Sequence, residues 1–188
     1  MKIIVGLGNP DKKYKLTRHN IGRLTLIEWQ KTAGFPDFKL KKKYKAQTTE
    51  ASFARKKIIL VLPETPMNLS GQSIKSLFAN YKTPSTRIWV IHDDIDIDLG
   101  KIKIIENRGA AGHKGVQSII NKIRTKNFVR FRIGIKPKNL NPEALDNFVL
   151  QKFTKKEKEI IKKTVKKTIE AIETALKQGV AKAMNRFN

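Results

Sequence analysis

The 188-residue chain carries 40 Lys and Arg against 16 Asp and Glu, a formal charge of +24, with 39% hydrophobic residues and no cysteine. That hydrophobic content supports a packed core and excludes a disordered chain, and the missing cysteines exclude disulfides and thiolate metal sites. The length suits one domain over 1–188, and no apolar run approaches the roughly 20 residues of a membrane span, so a soluble, cytoplasmic protein with no membrane partner is expected.

The charge points to a polyanionic partner, bound fast and with strong salt dependence. Nucleic acid is favoured over an anionic membrane surface. The chain is also rich in Ile and Asn, a coding bias that explains Lys over Arg but not the scarcity of acids.

In chain order, the apolar run from Ile3 to Val5 predicts a strand over 2–8 that ends in the turn Gly6-Leu7-Gly8-Asn9-Pro10. A basic loop then delivers Thr17, Arg18, His19 and Asn20 to a helix over about 21–33. Strands follow at 45–53 and 57–62, joined as a hairpin near Arg55 and Lys56, with the Lys-rich stretch 39–45 read as an exposed loop. A helix over 69–81 precedes strands at 87–92 and 101–106. A glycine-rich loop, a helix over 115–124 and a strand over 129–135 come next. A Pro/Asn-rich connection over 136–142 is too short to separate domains.

Thr154 and Glu157 form a capping box that opens a long terminal helix. Its core face is Ile161, Val165, Ile169, Ile172 and Leu176, and Gly179 suits its stop. The other face presents Lys155, Lys156, Lys162, Lys163, Lys166 and Lys167; most such faces are simply solvated, but with acids sparse and the charge nearly one sign a phosphate-contact surface is favoured. Alternating strands and helices predict an α/β three-layer sandwich around a twisted mixed, mainly parallel sheet.

Four clusters could carry chemistry: Asn9 with His19; Met67-Asn68-Leu69-Ser70-Gly71; His92-Asp93-Asp94-Ile95-Asp96 after the strand from Ile88; and the loop from Gly109 to Gly115. Three of them follow strand ends, where side chains converge in open α/β sheets. Together they suit general-base hydrolysis. A neutral imidazole at His19 can take a proton from water, Asp93 on its other nitrogen can fix the tautomer, and the amides of Asn9 and Asn68 can donate to an oxyanion. Taken singly, each also fits a plain structural role as turn residue, cap or ion pair.

Sharper motifs fail. Gly6-x-Gly8 continues into Pro10 and Asp11 where a dinucleotide fingerprint needs glycine, and Glu28 lies in a predicted helix. Asp94-x-Asp96-x-Asp98 begins like a calcium loop, but Gly100 falls one place late and position twelve is Ile105.

The ordered set VGLGNP, TRHNIG, MNLSG, HDDID, GHKG, FRIGI and the C-terminal AMNRFN resembles the bacterial-type peptidyl-tRNA hydrolases over essentially the whole chain. The resemblance implies a monomeric α/β enzyme that cleaves the ester between a peptide and the 3′ ribose of tRNA, without metal or organic cofactor. It makes His19 the base, Asp93 its orienting carboxylate, and Asn9 and Asn68 the holders of peptide and carbonyl. It places Tyr14, Met67, His113 and Lys114 along the cleft and matches cationic phosphate positions to Lys103 and Arg132.

Two departures stand out. A further phosphate position is Ile105 here, with Lys101 or Arg108 as replacements. Lys114 stands where the family usually has Asn, and an ammonium donates but cannot accept, so altered but retained activity is expected. The same fold also serves noncatalytic RNA-binding relatives, but RNA binding alone needs none of Asn9, His19, Asn68 and Asp93.

Overall fold

The computed structural model describes residues 1–136 and 145–188. Its strands are β1 (Lys2–Gly6), β2 (Lys39–Lys41), β3 (Ala46–Phe53), β4 (Lys56–Pro63), β5 (Ile88–Asp98), β6 (Ile102–Glu106) and β7 (Val129–Lys136). The helices are α1 (Ile21–Thr32), α2 (Ser70–Tyr81), α3 (Lys114–Ile123), α4 (Leu145–Phe148), α5 (Lys155–Gln178) and α6 (Val180–Phe187).

The strands form one sheet in the order β2-β3-β4-β1-β5-β7-β6. The central strands β4, β1, β5 and β7 pair in parallel. β3 and β6 run antiparallel to their neighbours, and β2, antiparallel to β3, points with the central set. The mixed, mainly parallel sheet is thus as expected from the sequence.

Alternation along the strands builds two cores. Ile4, Trp89, Ile91, Phe131 and Ile133 face α1 and α5, while Ile3, Val5, Ile59, Ile88 and Val90 face α2 and α3. Such two-sided burial requires the near-continuous apolar runs seen in β1, β4 and β5. After β1 the chain builds the sheet on one side, through β4, then crosses to β5 on the other. Clefts form at that reversal, at the carboxyl ends of the strands.

α5 buries Ile161, Val165, Ile169, Ile172 and Leu176, each worth about 1.5–3 kcal/mol when fully buried. The Thr154–Glu157 capping box is formed and Gly179 ends the helix. The six lysines named on its outer face are all exposed. The chain resumes as α6, which the sequence reading did not resolve, and the Asn188 amide pairs with both backbone groups of Ile104 on β6.

Two other differences have physical causes. The Lys-rich stretch is not all loop: 39–41 pair with β3, and their exposed lysines guard the sheet edge against pairing with another chain. β5 runs through HDDID to Asp98, because β7 continues beside it past a register shift. Gly134 admits that shift, since a Cβ there would lie 2.1 Å from the Asp98 carbonyl oxygen. Of the connection read over 136–142, residues 137–142 lie outside the described residues. Among the described residues, no helix is long and apolar enough to cross a membrane.

Candidate active site

The carboxyl ends of β1 and β5 open into a pocket of about 270 Å³ lined by His19, Asp93, Asp94, Ile95, Asp96, Ala111, Gly112, His113, Lys114, Leu145 and Val149. His19 sits in the single turn before α1, which crosses β5 so closely that a Cβ on Gly22 would lie 2.1 Å from the Ile91 carbonyl oxygen. That approach, available only to glycine, sets the imidazole above Asp93.

His19 Nδ1 lies 3.0 and 2.9 Å from the two carboxylate oxygens of Asp93, and His113 Nε2 lies 3.1 Å from Oδ1. Burial alone would raise the Asp93 pKa, but the two histidines outweigh it and hold the carboxyl well below its ordinary range. An ionised carboxylate only accepts, so both facing nitrogens carry protons and the lone pair of His19 is on Nε2. The backbone N–H groups of Gly115 and Val116 independently fix His113 by donating to its Nδ1 at 3.2 and 3.3 Å.

His92, buried behind them, donates from Nδ1 to the Asp93 carbonyl at 2.6 Å and meets the His113 ring edge-on at 4.6 Å. Burial, then His113 and Arg130, push its pKa well below the usual value and keep it neutral. All three histidines of the chain therefore gather at Asp93, His19 and His113 on its carboxylate and His92 on its main-chain carbonyl.

The donor atoms of His19, Asp93 and His113 lie within 4.8 Å of one another, close enough to share a cation. The tautomers oppose it. A metal on His113 Nε2 would move the proton to Nδ1, against the two N–H groups that point there.

Asn9 leaves β1 beside this pocket. Its Oδ1 accepts from the Met67 backbone N–H at 2.8 Å, so its Nδ2 is the remaining donor. Asn20 clamps the Asn9 backbone, accepting from its N–H at 2.8 Å and donating to its carbonyl at 2.9 Å. Met67 is buried, with its sulfur against Gly115. Asn68 is exposed in an adjoining recess with Gly112, Lys114, Gln117, Ser118 and Asn121. The structure thus brings His19, Asp93, His113 and Lys114 into one pocket and sets Asn68 next door, across Gly112 and Lys114. Tyr14 is half-buried beneath the Lys13 ammonium and does not line the pocket.

The cationic candidates lie along the same sheet end. Lys103 on β6 is directly opposite Arg132 on β7. The Arg132 Nε donates to Asp94, a pocket residue, and Lys101 pairs with Asp98 at 2.7 Å. Ile105 stands opposite Arg130, whose buried guanidinium holds the carbonyls of Arg108 and Gly109 in the glycine-rich loop.

The family model described as peptidyl-tRNA hydrolase matches residues 3–188. The chain belongs to the peptidyl-tRNA hydrolase family. It is 40% identical over 188 residues to the peptidyl-tRNA hydrolase of Clostridium botulinum (strain Eklund 17B / Type B), covering 100% of this chain and 96% of that protein. It is 41% identical over 191 residues to that of Thermodesulfovibrio yellowstonii, covering 100% and 99%. The crystal structure of peptidyl-tRNA hydrolase from Acinetobacter baumannii superposes with a TM-score of 0.91 at 30% identity, covering 99% of this chain and 93% of that one. As a peptidyl-tRNA hydrolase family member the chain is an enzyme of the ester-hydrolase class.

Several site residues escaped the sequence reading. Arg18 and Asn20 flank His19 within the same motif, but nothing in their spacing indicates that one grips Glu157 and the other Asn9. Leu145 and Val149 reach the pocket from a segment far along the chain.

Proposed function

We propose that this single-domain enzyme hydrolyses the ester joining a peptide to the 3′ ribose of peptidyl-tRNA, with His19 as the base. The observation that carries the reading is the Asp93 carboxylate held between His19 Nδ1 and His113 Nε2, which leaves the basic lone pair of His19 on Nε2. His19 takes a proton from water as the water oxygen attacks the ester carbonyl carbon. Asp93 stabilises the imidazolium that forms, with no proton leaving Nδ1. Asn9 Nδ2 and, from the neighbouring recess, Asn68 and Lys114 are donors for the developing oxyanion.

Collapse of the tetrahedral intermediate breaks the bond to the 3′ oxygen. The imidazolium returns its proton to that oxygen, giving free tRNA and a peptide acid that ionises. No step requires a metal or an organic cofactor. Lys114 supplies positive charge to the oxyanion but cannot accept from the attacking water, so His19 carries that task alone. The apolar wall of Leu145, Val149 and Ile95 suits the acyl group.

Lys103, Arg132 and Lys101 are proposed to hold acceptor-stem phosphate, and the α5 lysines to add a sequence-independent phosphate surface. We further assign the enzyme to the cytoplasm as a monomer. The test is turnover of an N-acetylated aminoacyl-tRNA beside the free aminoacyl-tRNA. Release of tRNA from the first, well above that from the second, supports the reading. Tight tRNA binding with no release from either would replace it with a noncatalytic RNA-binding role.

A further inference from the structure

Outside the reacting groups, the most elaborately buried charge near the pocket is Arg18. Its Nη2 donates to both carboxylate oxygens of Glu157 at 2.9 and 2.8 Å, and its Nη1 donates to the Lys152 carbonyl at 2.9 Å. The guanidinium lies over the Phe148 ring at 4.2 Å and the Phe153 ring at 5.2 Å. Only 4% of the Arg18 side chain and 16% of that of Glu157 are exposed.

The same short stretch binds the 149–152 segment through its backbone. The Arg18 N–H donates to the Gln151 carbonyl at 3.0 Å, the His19 N–H donates to the Val149 carbonyl at 2.8 Å, and Thr17 bridges Lys152. Val149, whose carbonyl receives the His19 N–H, also lines the pocket with Leu145. Glu157 does double duty, accepting the Thr154 N–H at 2.7 Å as the far half of the α5 capping box. Helix cap, pocket wall and catalytic segment therefore meet at one guanidinium.

We propose that Arg18 is a positioning residue for the hydrolysis reaction: paired with Glu157, it staples the Leu145–Val149 wall to the His19 segment and so sets the fit of the acyl group. The inference rests on the proposed function for its kinetic consequence, but not for its structural one. Lysine cannot replace the planar fork that holds two carboxylate oxygens and a carbonyl while stacking on two rings. Glutamine at 157 keeps an acceptor for the Thr154 N–H but loses the charge. The wall faces the acyl group and not the RNA, so loosening it weakens recognition of the peptide end while tRNA contacts stay in place.

The experiment compares wild type, Arg18→Lys, Glu157→Gln and the double variant on N-acetylated aminoacyl-tRNA carrying an apolar residue, with deacylated tRNA as competitive inhibitor. Each single variant is expected to raise KM about 5- to 20-fold, with kcat changed less than about threefold. The double variant should be no worse than either single one, because both break the same staple. The inhibition constant of deacylated tRNA should stay within about twofold of wild type. Unchanged KM with only a lowered melting temperature, or additive effects in the double variant, would overturn the proposal.

Amide hydrogen exchange gives a reading independent of turnover. In Arg18→Lys, the amides of positions 18 and 19 should exchange faster while β1 and β5 remain protected. Equal protection of those two amides in wild type and variant would refute the staple even if the wild type hydrolysed nothing, and failure of wild-type hydrolysis alone would refute only the functional reading.

Discussion

Replacing Asp93 by Asn is nearly isosteric and removes one charge from the centre of the histidine cluster. In the native site the two carboxylate oxygens receive His19 Nδ1 at 3.0 and 2.9 Å, and one of them also receives His113 Nε2 at 3.1 Å. An amide has one acceptor oxygen. If that oxygen keeps His113, whose tautomer the Gly115 and Val116 N–H groups fix, the new NH2 group faces His19 Nδ1. His19 then accepts on Nδ1 and carries its proton on Nε2, where it cannot act as a base.

A hydrogen bond to a charged group is worth about 1.5–3 kcal/mol, and the imidazolium formed in the reaction also loses its counter-charge. A combined loss of about 3–5 kcal/mol corresponds to roughly 10²- to 10⁴-fold in kcat. Single-turnover hydrolysis of N-acetylaminoacyl-tRNA at saturating enzyme measures this directly, with circular dichroism to verify the fold. An Asp93→Asn enzyme that folds normally and turns over within about fivefold of wild type would refute the argument.

Three further outcomes follow from particular contacts. The His92 pKa is depressed by burial, His113 and Arg130, so below its ordinary value of 6.5 the unfolded chain takes up a proton that the folded one refuses. Stability should therefore fall as the pH drops below about 6.5, by up to about 1.4 kcal/mol per pH unit, and His92→Asn should flatten that slope in urea titrations. In the β3–β4 hairpin, Ala54 and Arg55 both hold positive φ, 48° and 58°, where Asn-Gly is preferred. Ala54→Asn with Arg55→Gly should raise stability by about 1 kcal/mol, and a lowered melting temperature would contradict that reading. Replacing Lys103 by Gln should weaken tRNA binding and reduce the slope of log affinity against log salt by about one, whereas an unchanged slope would remove Lys103 from the phosphate contacts.

Periodicity and capping made the long elements legible. The buried face of α5, its capping box and the apolar runs of β1, β4 and β5 all follow from local spacing. Spacing made His19 and Asp93 candidates for a pair, since strand ends converge in an open α/β sheet, but each also suited a plain structural role, and the contact itself depends on α1 packing across β5. Local spacing did not disclose that HDDID continues as strand, since that depends on β7 lying beside it with Gly134 at the shift. Nor did it disclose the grip of Arg18 on Glu157, 139 residues away, or the arrival of Leu145 and Val149 at the pocket. Those contacts are products of topology. The Lys-rich stretch 39–45 was ambiguous for another reason: a three-residue edge strand with every side chain exposed has no hydrophobic alternation to read.

Whether His19 performs the chemistry is decided by hydrolysis of N-acetylaminoacyl-tRNA by wild type and His19→Ala, with tRNA affinity measured on both. His19→Ala should lose at least about 10²-fold in kcat with tRNA affinity preserved, as removal of a general base requires. Hydrolysis by His19→Ala at a rate near that of wild type would contradict that role.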